Sequence, residues 1–169
     1  MALTQVPPTL LTQPLTAGTA VASTSGTNID FTNIPAWVKR ITVMFNGVST
    51  NGTSIWQIQV GAGSVTTSGY GGSACYNSGG SVSQGVFSTG LGIANLSVAA
   101  ATYSGTATFT LLGSNIWTAT SCLSAYGSGS ALLTASCVIA LSGTLDRVRI
   151  TTVNGTDTFD AGSINILYE

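Results

Sequence analysis

Thr106-Ala107-Thr108-Phe109-Thr110-Leu111 alternates hydroxyl and apolar side chains without a break. Successive side chains of a β-strand point to opposite faces. One face of this hexapeptide therefore carries Ala107, Phe109 and Leu111, and the other carries three threonines. A helix would scatter both sets around its circumference. The same period of two recurs outward from here. Downstream, Trp117, Ala119, Ser121 and Leu123 form one face of the next run, and Leu133, Ala135, Cys137, Ile139 and Leu141 one face of the run after it. Val148 and Ile150 oppose Arg147, Arg149 and Thr151, and the chain closes on Ile164, Ile166 and Tyr168. Upstream, Trp56, Ile58 and Val60 alternate with Gln57 and Gln59, and Ile41, Val43 and Phe45 alternate with Arg40, Thr42 and Met44.

At least seven strands are thus expected, with no proline after Pro35 to interrupt them. Asn46-Gly47, Asn51-Gly52 and Asn154-Gly155 supply turn residues that tolerate positive φ. No segment holds helical periodicity between caps, and only Leu96 to Ala101 could make a helical turn. Many short strands with Gly-rich turns predict an all-β fold, an antiparallel β-sandwich of jelly-roll type. Residues 68–85, from Ser68 to Gly85, read as a long Gly/Ser loop, a segment type that is often functional.

The first 18 residues differ in composition. They hold Pro7, Pro8 and Pro14 among Val6, Leu10, Leu11 and Leu15. Proline fixes φ and removes an amide donor, so an extended arm is expected over 1–18, ahead of a sandwich over 19–169. Its apolar residues suit docking on a neighbour better than a solvated tail, and Val6, Pro7, Pro8, Leu10, Leu11, Pro14 and Leu15 are the candidate docking residues.

Only 5% of the 169 residues are charged, against roughly 25% in an average soluble domain, and the net charge is −1. Residues 41–145 contain no charge at all. Polarity comes instead from 21 Ser, 26 Thr and 21 Gly, beside 44% hydrophobic residues and a mean hydropathy of +0.43. Such a surface is either coated with hydroxyls or buried against other subunits. The second is expected, with a homotrimer as first choice. Four basic residues are too few for a nucleic-acid patch, and no apolar run approaches the roughly 18 residues of a membrane span. Neither nucleic acid nor membrane insertion is expected, and the start has no basic and apolar secretion signal.

Catalysis fails on inventory. There is no His, the only Glu is Glu169 and the only Lys is Lys39. No Ser–His–Asp or Cys–His arrangement can be built, and no cofactor or metal is implied. Asp157 and Asp160 read as turn residues, as do the sequon asparagines Asn51, Asn95 and Asn154. Cys75, Cys122 and Cys137 read as free thiols. Lys39-Arg40, Arg147 and Arg149 are expected to pair with Asp30, Asp146 or Asp157. Tyr70, Tyr76, Tyr103 and Tyr126 lie among Gly and Ser. They either stack on sugars or a protein partner, or fold back over the sandwich. Tyr70 and Tyr76 are the candidate receptor-binding pair on the expected loop.

Two blocks carry a resemblance. They are Ile29-Asp30-Phe31-Thr32-Asn33-Ile34-Pro35-Ala36-Trp37-Val38-Lys39-Arg40-Ile41-Thr42-Val43-Met44-Phe45 continuing to Gly52, and Thr144-Leu145-Asp146-Arg147-Val148-Arg149-Ile150-Thr151-Thr152-Val153-Asn154-Gly155-Thr156-Asp157 continuing to Ile166. Both resemble a module of tailed-bacteriophage and prophage virion proteins, often labelled tail-fibre proteins, over residues 14–169. The resemblance implies a virion surface component, made in the host bacterial cytoplasm, whose partners are phage capsid or tail proteins. It brings no catalytic residue. No shaft, collagen repeat or coiled coil precedes the module here. The expected role is a capsid decoration protein of cement or head-fibre type, with a tail-fibre tip that binds a host-surface receptor or glycan as the alternative.

Overall fold

A computed structural model describes residues 15–93, 98–99, 101–127 and 130–169. The described residues form fourteen strands and no helix. In chain order these are β1 (Thr16–Ala17), β2 (Val21–Ala22), β3 (Asn28–Thr32), β4 (Arg40–Thr50), β5 (Trp56–Ala62), β6 (Ser64–Val65) and β7 (Gly71–Ser78). They continue with β8 (Ser81–Phe87), β9 (Leu91–Gly92), β10 (Ala101–Gly113), β11 (Ile116–Gly127), β12 (Ala131–Ala140), β13 (Arg147–Thr152) and β14 (Phe159–Tyr168). Half of the possible helical turn at Leu96 to Ala101 lies outside the described residues, as does Asn95.

All pairings are antiparallel. A large sheet runs β1-β14-β4-β10-β11-β12-β7-β8, with β2 also on β14. A small sheet runs β3-β13-β5-β6, with β9 also on β5. Between them lies one apolar core, as the alternation requires. Ile41, Val43, Phe109, Leu123 and Leu133 of the large sheet and Ile58, Val60, Val148 and Ile150 of the small one are all fully buried. Each such side chain contributes about 1.5–3 kcal/mol by leaving water. Trp56 of β5 joins the layers. Its ring lies 4.6 Å from Tyr103 of β10 and 5.8 Å from Phe159 of β14, and its Nε1 donates to Thr50 Oγ1 at 3.2 Å. The architecture is sandwich-like. In the large sheet β10, β11 and β12 follow one another as hairpins, whereas β14 beside β4, β4 beside β10 and β12 beside β7 are joined by crossovers.

Three expectations are corrected. Residues 68–85 are not a loop. Gly71 to Phe87 form the β7–β8 hairpin, closed by Gly79 and Gly80 at φ 55° and 86°. Two consecutive positive φ values give the primed turn whose twist suits a two-residue hairpin loop. Second, Asn46-Gly47 is not a turn between strands. It is a bulge inside β4, where the register against both β10 and β14 shifts. Gly47 has φ 60°, and a Cβ on Gly162 of β14 would lie 2.5 Å from its carbonyl carbon, so the two backbones meet where no side chain fits. Third, Thr16–Gly18 is paired to the body. Thr16 and Ala17 align with Tyr168 and Leu167, and the Gly18 N–H donates to the Ile166 carbonyl at 2.8 Å.

Candidate functional site

The most extensive uncharged surface is the outer face of the large sheet. The inward phase of each strand is taken by the core, so the outward phase is what sequence alternation left polar. Register stacks these residues in rows. One row runs Thr42, Thr108, Thr120, Ser136, Ser73 and Val86 across β4, β10, β11, β12, β7 and β8. The next runs Thr106, Cys122, Thr134, Cys75 and Gln84. Neighbours in a row sit about 4.8 Å apart and successive rows about 6.7 Å apart, the strand spacing and twice the rise per residue. Thr42 and Thr108 hydroxyls are in contact at 3.4 Å.

From β10 to β8 this face carries no formal charge. Toward the β8 edge it becomes apolar. Val86 is 88% exposed, and Val82, Leu132 and Val138 are exposed beside it. A cleft of about 300 Å³ between β7, β8 and β12 is lined by Ser73, Cys75, Gln84, Thr134 and Ser136. Among the described residues β8 is the last strand of the sheet on this side. Such a face can bury area against a flat, uncharged partner without stripping water from ions.

The expected receptor-binding pair is overturned at Tyr70. Its side chain is 3% exposed, in the core, where the hydroxyl accepts the Val60 N–H at 2.8 Å and donates to the Thr66 carbonyl at 3.1 Å. Burial pushes its pKa well above the ordinary phenol value. An aromatic beside glycines read as a loop residue, whereas here it fills the space between β5 and the β7 hairpin. Tyr76 is on a strand too. It lies half-buried in β7, aligned with Leu133 and packed against the core. Tyr103 is likewise internal, with its hydroxyl accepting the Val98 N–H at 3.1 Å. Tyr126 alone of the four is exposed, on the outer face of β11, where Thr102 and Ser104 side chains lower its pKa.

Of the candidate docking residues, Val6, Pro7, Pro8, Leu10, Leu11 and Pro14 lie outside the described residues. Leu15 is described and 60% exposed, directly before β1.

The charges pair close to the chain ends. Asp30 of β3 takes both Nε and Nη2 of Arg149 of β13 at 2.7 Å each. Arg147 Nε donates to Asp146 at 2.7 Å, and Arg40 pairs with Glu169. The Arg147 hydrogen bond holds the Asp146 carboxyl below its usual pKa. Asp157 is a turn residue. It accepts Asn154 Nδ2 at 2.6 Å and the Ser54 N–H at 2.8 Å, which ties the 51–54 turn to the 154–157 turn. Among the described residues no three His, Cys, Asp or Glu side chains cluster as a metal site would require.

All three cysteines are free thiols. Thr134 stands between Cys122 and Cys75, which are therefore two strands or about 10 Å apart, beyond disulfide reach. Cys137 points the other way, into the core, and burial pushes its thiol up to about 11.

No family model matches the chain, and searches of curated proteins and of solved structures return no match.

Proposed function

We propose that this chain is a non-enzymatic structural protein of a tailed-phage virion surface, a capsid decoration protein that assembles as a homo-oligomer, a trimer by preference. The observation that carries this reading is the uncharged outer face from β10 to β8, with exposed Leu132 and Val138 on β12 and exposed Val82 and Val86 on the last strand, β8. A second copy of the chain is the partner such a face suits, since it offers hydroxyls and methyls of its own and no unpaired charge. The phage assignment comes from the resemblance of the two sequence blocks, and docking on the particle is assigned to the N-terminal arm. The withdrawal of Tyr70 into the core counts against the tail-fibre tip, because it removes half of the contact pair that role was given.

Light scattering on the purified chain tests the assembly. A mass well above 17.0 kDa is expected, and a monomer at micromolar concentration ends the oligomer claim. Deleting residues 1–14 tests attachment. The shortened chain keeps β1 and its melting temperature but loses occupancy on particles, and full occupancy would remove the docking role.

A further inference from the structure

The outer face of the small sheet is built differently from that of the large one. On β5, Gln57 and Gln59 point away from the core, yet they are 3% and 5% exposed. The segment ahead of β9 covers them in part. Thr89 Oγ1 donates to Gln57 Oε1 at 2.7 Å, and Gln59 Nε2 donates to the Thr89 carbonyl at 2.8 Å. Register places Thr151 and Arg149 of β13 beside these two glutamines, and Asn28 and Asp30 of β3 beyond them. Above this floor is a groove of about 350 Å³, with Thr67 and Thr89 on one rim and Asn154 and Gly155 on the other.

We propose that this groove binds a neutral glycan, an oligosaccharide of hexose or N-acetylhexosamine units. Gln57, Gln59, Asn28 and Arg149 have each committed one end and kept the other. Among the described residues no hydrogen bond uses Gln57 Nε2, Gln59 Oε1, Asn28 Oδ1 or Arg149 Nη1. The Thr151 hydroxyl donates to the Thr27 carbonyl at 2.9 Å and keeps its lone pairs. Donors and acceptors thus alternate over a few ångströms, which is what vicinal hydroxyls need because each both gives and takes a proton. Gln57 and Gln59 are held below 10% exposure by the Thr89 segment, and both line the groove, where a polar ligand can take the place of water. Asp30 neutralises Arg149 through two hydrogen bonds, so the groove has no net charge and does not favour a phosphate or carboxylate. Large apolar rings are missing from the described lining, so a hydrophobic ligand has nothing to pack on. The assignment concerns the isolated chain and is independent of how it sits on a particle.

The test is saturation-transfer NMR on the full chain with maltose, cellobiose, lactose and diacetylchitobiose, and with sialyllactose and glucose 6-phosphate as charged controls. At least one neutral probe is expected to bind saturably and more tightly than either charged one. Thr67→Trp fills the groove from an exposed rim position and Asn28→Ala removes an exposed acceptor, neither touching the core. Both should keep the melting temperature, with Thr67→Trp weakening binding at least about tenfold. Gln57→Leu and Gln59→Leu should abolish binding as well. They also release Thr89, so if they fail to fold the two rim variants carry the test. No binding of any neutral probe, preference for a charged one, or binding that survives Thr67→Trp overturns the proposal. Loss of glycan binding with normal occupancy on particles, or the reverse, separates this proposal from the decoration role.

Discussion

Thr108 on β10 and Gln57 on β5 occupy equivalent places in their strands, one residue from a buried aromatic and facing away from the core. Thr108 belongs to an open face of hydroxyl rows. Gln57 is roofed by the chain at Thr89 and is as buried as the core beneath it. The pair teaches that alternation identifies which side of a sheet a residue is on, and not whether that side meets water. A polar residue on the open side is solvated at no cost. On the roofed side it must find a protein partner or a ligand, and each unmet group costs about 1–3 kcal/mol.

Substitutions can sharpen or break this contrast. The largest effect should come from Tyr70, which supports the roofed side from within by binding the β5 backbone at Val60. Tyr70→Ala should lose about 3–5 kcal/mol in urea unfolding, as for other buried aromatics, and Tyr70→Phe about 1–3 kcal/mol for the orphaned Val60 N–H. A loss below about 0.5 kcal/mol for Tyr70→Ala would return this residue to the surface.

Alkaline unfolding comes next. Cys137 lies on the inward phase of β12, two strands from the threonines of β10, and its folded pKa of about 11 exceeds that of the unfolded thiol. A raised folded pKa contributes stability that is whole below the unfolded value near 8.5 and declines as pH rises toward 11. Melting curves should therefore weaken over that window by about 3 kcal/mol, less so in Cys137→Ala, which lacks the thiol. In parallel, a thiol reagent should label exposed Cys122 quickly in the native protein and Cys137 only on unfolding. Equal labelling of the two would contradict the assignment of faces.

The direct comparison is smaller. Gln59→Ala should cost about 1–3 kcal/mol because the Thr89 carbonyl loses its donor, whereas Thr108→Ala or Thr120→Ala should cost below about 1 kcal/mol. Equal values would erase the distinction between the two outer faces. Smallest is Ser121→Ala. The Ser121 Oγ is buried without a hydrogen-bond partner on the inner face of β11, so its removal should leave stability unchanged or raise it by up to about 1 kcal/mol.

Much of the large sheet was legible because its strands are long and regular. β10, β11 and β12 carry alternation over ten residues or more, and the inward residues named from it are buried, except Leu111, which is half-buried. The β7–β8 hairpin escaped notice for a physical reason. Gly and Ser dominate it, and its valines, Val82 and Val86, stand on the exposed face, so no hydrophobic alternation marks the inward side. Gly79-Gly80, a strong hairpin turn, was hidden among other glycines. Strand β3 has five residues, too few for alternation to mark it in the sequence. Of the candidate site, the hydroxyl face followed from the threonines, while the groove needed register to bring β3, β5 and β13 together.

The sequence by itself determined an antiparallel all-β chain without histidine, with free thiols and with charges confined to its ends. These follow from local rules: side-chain period, the presence of donors and acids, and position along the chain. Only the tertiary structure decided that Asn46-Gly47 is a bulge and that Tyr70 is core. The same holds for Asp30 meeting Arg149 across 119 residues and for Gln57 and Gln59 flooring a groove. Those outcomes depend on which distant strand lies beside or above a residue. That choice is made by the packing of the two sheets as a whole, and no local pattern encodes it.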